Sequence, residues 1–151
     1  MTLGTTPKVV KIQLSKQYRF MYENFVVATQ SAVYLMLEKT NDTVNLLCFN
    51  SWQLKYGSPN DEARGGHPLW QFGMGFYGFY EVLDSPWIHE QMVANRVHDK
   101  HLDSHFKELR HFIACFKDVM VEVTCRSFDE QTMSVADFNT LIRFELEKLT
   151  D

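Results

Sequence analysis

The sequence predicts an α+β fold: a mostly antiparallel sheet of roughly four to six strands with a C-terminal helix packed on one face. Three observations carry this. Apolar residues alternate with period two over 32–49 and 111–125, a helical apolar stripe closes the chain, and turn chemistry stands between the alternating runs. A partly closed β-barrel is the alternative arrangement of the same strands.

A first strand is expected over Val9 to Leu14, and the apolar run Tyr18 to Val27 fits either a strand or a short helix. In Ala32 to Glu38, Val33, Leu35 and Leu37 fall on one face and Tyr34 and Met36 on the other, the pattern of a central strand covered on both sides. Thr40, Asn41 and Asp42 supply a turn, and Val44 to Phe49 returns as the second arm of a hairpin. Trp52, Leu54 and Tyr56 then continue this strand past a bulge near Asn50 and Ser51, or begin an adjoining one.

A polar loop is expected from Gly57 to Leu69, followed by a strand from Gly73 to Leu83. In that strand, Gly73, Gly75 and Gly78 mark bulges or close approaches among aromatic rings. Ser85 and Pro86 read as N-cap and first helical residue of a short helix to about Asn95, with Trp87, Ile88 and Met92 as its apolar face. His111 to Phe116 and Val119 to Cys125 form the clearest hairpin, turning at Lys117 and Asp118. Ser134 and Asp137 start a terminal helix whose stripe is Val135, Phe138, Leu141, Ile142 and Leu149.

The 151 residues contain no repeat, low-complexity tract or linker-like stretch, so a single globular domain over 1–151 is expected. An apolar fraction of 45% with 23% charged residues argues against disorder, and the net charge of −4 with dispersed Lys and Arg argues against nucleic acid as a partner. No apolar run suits a signal peptide or a membrane span, so a cytoplasmic protein is expected, with no membrane partner. Cys48, Cys115 and Cys125 read as small buried apolar groups, with a Cys115–Cys125 disulfide as the alternative.

His98, His101 and His105 are spaced to share one helical face, which raises a metal site. No Cys or HExxH partner is near, so no metal centre is assigned. The 57–70 loop concentrates Asp61, Glu62, Arg64 and His67, with Gly65 and Gly66 allowing close backbone approach. Beside the aromatic run that includes Tyr77, these are the ingredients of a ligand pocket. The alternative is that Asp61 and Glu62 pair with Arg64. Glu81 and Glu122 interrupt apolar strands, and should those strands be neighbours, Glu81, Glu122 and His111 could act together in acid–base chemistry. Otherwise Glu81 pairs with a Lys or Arg, and Glu122 lies on an exposed face with Thr124 and Arg126. No cofactor loop or nucleophile motif is recognised, so no cofactor is expected.

Pro-Asn-Asp-Glu at 59–62, Gly-His-Pro-Leu at 66–69, Tyr77 to Val82, Ser-Pro-Trp-Ile at 85–88, and His111-Phe-Ile with Phe116 and Asp118 resemble a group of small bacterial cytoplasmic proteins with no assigned activity. The resemblance spans about residues 50–126 and implies a bacterial, soluble, stand-alone module.

Two functions are weighed first. One is a binding module that recognises a small molecule or protein through the 57–70 loop, the aromatic strand 70–83 and Trp87. The other is a small hydrolase- or isomerase-like enzyme using His67 or His111 with Glu81 or Glu122. An immunity or anti-defence protein is a third, from small size and acidity alone. A homodimer is the expected way to cover a spare sheet edge.

Overall fold

The computed structural model describes residues 6–21 and 23–149. Its centre is a seven-stranded sheet in which every hydrogen-bonded pair is antiparallel. The strands are β1 (Lys8–Lys11), β2 (Val26–Ala28), β3 (Val33–Lys39), β4 (Thr43–Gly57), β5 (Gly78–Leu83), β6 (Arg110–Cys115) and β7 (Met120–Ser134). Their spatial order is β1-β5-β6-β7-β4-β3-β2. The sheet is open, with β1 and β2 at its edges, so the barrel alternative is set aside.

One strand more than expected comes from the end of the ambiguous 18–27 run, where Val26–Ala28 pairs with β3 and the Phe25 carbonyl accepts the Met36 N–H at 3.0 Å. The strand expected over Val9 to Leu14 is shorter, although Ile12 extends it by donating its N–H to Phe79. The strand expected from Gly73 begins at Gly78, because residues 70–72 form a 3₁₀ turn. The expected close approaches are present: a Cβ at Gly73 would lie 2.6 Å from the Val9 carbonyl oxygen, and one at Gly75 would collide with the Tyr80 hydroxyl.

β3 and β4 form the expected hairpin, closed by the Thr40 N–H bonding the Thr43 carbonyl at 2.9 Å. β3 is not central; it lies next to the edge strand β2. Its two apolar faces are used because Val33, Leu35 and Leu37 enter the main core while Met36 enters a second cluster with the terminal helix. β4 continues as one 15-residue strand, with register shifts between Phe49 and Gln53. The side-chain oxygen of Asn50 accepts the N–H groups of Arg126 at 3.0 Å and Ser127 at 2.9 Å, which satisfies the ladder where it is interrupted.

The two faces of β6–β7 carry different cores. Phe112, Ala114, Val121, Val123 and Cys125 join Phe49, Phe79 and Phe20 in the main core, while Ile113, Cys115 and Met120 join Tyr80, Val82, Leu69 and Met74. Cys115 and Cys125 therefore lie in separate clusters, and both are free thiols, as is Cys48.

Among the described residues three α-helices accompany the sheet: α1 (Pro86–Asn95), α2 (Asp103–Lys107) and α3 (Val135–Glu147). Ser85 and Ser134 cap α1 and α3 by accepting the N–H of Ile88 at 3.1 Å and of Asp137 at 2.9 Å. Through Val135 and Phe138, α3 packs on Met36, Val44 and Leu46, as its apolar stripe requires. α1 departs from the expected apolar face: its buried residue is Gln91, which accepts a hydrogen bond from Thr124 at 3.1 Å. No helix among the described residues is long and apolar enough to cross a membrane.

Candidate functional site

The register of β6 and β7 sets Ile113 opposite Glu122 and His111 opposite Thr124, so His111 and Glu122 lie diagonally on one face. Both are buried, at 1% and 8% exposure. Glu122 Oε1 bonds His111 Nε2 at 2.8 Å, and its Oε2 bonds His67 Nε2 at 3.0 Å. His67 reaches the sheet from the end of the 3₁₀ turn Asp61–Gly66, which is capped by Asn60 accepting the Ala63 N–H at 3.1 Å.

The network assigns its own protons. His67 Nδ1 accepts the Leu69 N–H at 3.0 Å, so its Nε2 carries the hydrogen given to Glu122. Burial opposes ionisation of Glu122, but hydrogen bonds from His111 and His67 outweigh it and hold the carboxyl well below the usual carboxylate range. Burial also pushes the His111 imidazole below its ordinary value, against the opposite pull of Glu122. A carboxylate only accepts, so His111 Nε2 carries the hydrogen given to Glu122, and burial favours the neutral ring with its lone pair on Nδ1. That lone pair faces Ser85 Oγ at 2.7 Å.

Ser85 sits where β5 gives way to α1. The turn is tight: Asp84 has φ of 54°, in the left-handed region that side chains enter only at a cost. α1 then lays the Trp87 ring edge-on to His111, with 5.1 Å between centroids, and Lys55 of β4 places its ammonium 4.2 Å over the same indole. Lys55 stands opposite Glu122 in the β4–β7 ladder.

On its other side Ser85 lines a cleft of about 550 Å³ between the end of β5–β6 and the helices. Val82, Ile88, Met92, Phe106 and Leu109 give it apolar walls. Glu81 and Arg110 stand at its edge as a bidentate pair, at 2.8 and 2.9 Å.

The sequence-predicted residues divide sharply. His67, His111 and Glu122 come together, Trp87 packs on His111, and Glu81 joins Arg110 instead of the histidines. Glu122 is not on an exposed face with Arg126: it is buried, with His67 at the end of the 3₁₀ turn and His111 of β6 bonding its two oxygens. Arg64 is the main correction. Predicted to meet a ligand or an acidic neighbour, it is fully buried and donates to the carbonyls of Phe76 and Phe116, with longer bonds of 3.3 Å to those of Pro59 and Val119. Asp61 accepts the Tyr77 hydroxyl at 2.5 Å, and Glu62 is exposed. Gly65 and Gly66 have open space where a Cβ would stand, so no close approach requires them.

His98, His101 and His105 do not share a helical face. The chain turns through 96–100, and α2 begins only at Asp103, with Leu102 as its N-cap residue. His101 bonds Asp103 at 2.5 Å and Asn95 at 2.8 Å, while His98 Nδ1 accepts the Lys100 N–H at 3.0 Å. Among the described residues no group of three or more His, Cys, Asp or Glu is placed to hold a metal ion.

Sequence reading recognised Ser85 only as a helix cap. The missed signal was its place at the end of a strand that pairs with the strand bearing His111. Compared with protein-family models, curated proteins and solved structures, the chain matches none.

Proposed function

We propose that this protein binds a small amphipathic molecule in the cleft between the end of β5–β6 and helices α1 and α2. The observation that carries the reading is the combination of apolar walls from Val82, Ile88, Met92, Phe106 and Leu109 with a few polar lining residues, Ser85 and the Glu81–Arg110 pair among them. Ligand sites commonly combine such walls with a few fixed polar groups. The 57–70 loop supports the site from behind instead of forming it, since Arg64, His67 and Asp61 are each bonded within the chain.

Butyrate, hexanoate and their amides serve as probes in a titration followed by amide NMR shifts. Shifts confined to 81–92 and 106–110, abolished by the cleft-filling Met92→Trp, are the expected result. Shifts centred on 57–70, or unchanged in Met92→Trp, would place recognition elsewhere.

A further inference from the structure

We infer that Ser85 is a nucleophile, activated through His111 and Glu122, that cleaves esters of small carboxylic acids. This rests on the cleft being the ligand site.

Position is the first argument. Ser85 follows a strand and a left-handed residue, Asp84, and heads the ten-residue helix α1, so it stands at a sharp strand-to-helix corner in the lining of the cleft. The helix N-terminus favours negative charge at that corner, and the Ile88 N–H already points at Oγ from 3.1 Å.

The second argument is the relay behind it. A capping serine needs only the Ile88 N–H; it has no use for an imidazole whose far nitrogen rests on a buried carboxylate. Here the lone pair of His111 Nδ1 receives the Ser85 hydroxyl hydrogen at 2.7 Å, while Nε2 gives its own to Glu122 at 2.8 Å. This is the arrangement of nucleophile, base and orienting carboxylate, with the two ring nitrogens used in the opposite sense from the familiar serine-protease triad. His67 is a positioning residue: from 3.0 Å it holds the second oxygen of Glu122.

The step balances without any further reagent. Ser85 Oγ bonds the ester carbonyl carbon as its proton passes to His111 Nδ1 and the carbonyl electron pair moves onto oxygen. Collapse breaks the carbon–alkoxy bond, and the leaving alkoxide takes the proton from Nδ1, which gives an alcohol and acyl-Ser85. Water then adds to the acyl carbon, giving its proton to Nδ1; that proton returns to Oγ as the acid leaves. Glu122 stays ionised and offsets the imidazolium charge in both halves.

Groups facing His111 are Glu122 of β7, His67 of the 3₁₀ turn, Lys55 of β4, and Ser85 and Trp87 at the start of α1. Burial, Lys55 and His67 disfavour the protonated ring, so acylation is expected to rise with pH through one ionisation below the ordinary histidine value of 6.5.

The test treats the full chain with a fluorophosphonate probe and, separately, with p-nitrophenyl butyrate. One adduct located at Ser85 by peptide mass spectrometry, and ester hydrolysis on the order of a hundredfold above buffer, are expected. Ser85→Ala and Ser85→Gly should both lose the adduct; glycine keeps most of the capping role, so loss in that variant is not a folding effect. Glu122→Gln should slow labelling and displace its pH profile. Absence of the adduct while butyrate still shifts cleft resonances would overturn the nucleophile and leave the binding reading intact. Absence of both would overturn both, and an adduct that persists in Ser85→Gly would assign the reactivity to another residue.

Discussion

His67 and Glu122, 55 residues apart in sequence, meet at 3.0 Å, and this bond fastens the 57–70 segment to the middle of the sheet. The same carboxylate holds His111 at 2.8 Å, so one buried anion organises two otherwise separate segments. Removing it would leave two imidazole N–H groups without an acceptor. Glu122→Ala is therefore expected to lower stability by about 3–5 kcal/mol, and Glu122→Gln, which keeps one acceptor oxygen, by about 1–3 kcal/mol. Urea unfolding followed by tryptophan fluorescence measures both; equal losses would show that the acceptor oxygen kept by glutamine contributes little, and losses under about 1 kcal/mol in both would refute the role of the buried carboxylate.

Arg64 is fixed by carbonyls from three separate segments, at Pro59, Phe76, and Phe116 with Val119. Arg64→Met should cost about 3 kcal/mol or more, because buried acceptors lose their donor. Arg64→Lys should recover little of this, since an ammonium lacks the planar fork that reaches several carbonyls at once. Full stability in the lysine variant would refute this account.

Acid should weaken the fold in two stages. The folded-state pKa of His111 is depressed below 6.5, so the unfolded chain binds its proton more readily, and stability present above 6.5 falls as pH drops below it. Glu122 is depressed below its ordinary 4.5, and its contribution is lost on further acidification beneath that value. Thermal midpoints measured from pH 8 to pH 3 should decline below about 6.5 in the parent chain. The decline should be smaller over the upper part of that range in His111→Gln.

Gly73 has φ of 117°, and an added Cβ would stand 2.6 Å from the Val9 carbonyl oxygen. Gly73→Ala should destabilise by about 1–3 kcal/mol and speed amide exchange in β1 and its partner β5 first. Uniform exchange changes across the sheet would count against a local effect.

Burial drives the Cys115 and Cys125 thiols up to about 12, and Cys48 is raised as well, though less enclosed. Under native conditions a thiol reagent should modify Cys48 first, and Cys115 and Cys125 only at the rate of unfolding. Mass analysis of quenched time points reads the order directly.

The strands were legible where one side of the chain alternates cleanly: 32–49 and 111–125 pair as expected, and the continuation past Asn50 is a bulge. Both capped helices were also legible, because Ser85-Pro86 and Ser134 with Asp137 carry local signals. What escaped was non-local. Nothing in the spacing of Asp61, Glu62 and Arg64 reveals that the guanidinium turns inward, since its carbonyl partners lie up to 55 residues away. Helical periodicity misplaced His98 and His101, because spacing cannot register that Arg96 to Lys100 forms turns. Of the site, His111 and Glu122 were foreseeable from strand adjacency; the link to Ser85 required knowing that α1 folds back over β6.

Both borders of the sheet, β1 and β2, lie within residues 8–28, and between them the Phe20 carbonyl accepts the Lys117 N–H at the β6–β7 turn. A ribosome thus releases β1 long before Gly78–Leu83, the strand that receives it, has been translated. Until Gly78–Leu83 is made, β1 has no strand to pair with, and once docked it replaces β5 as the border of the sheet.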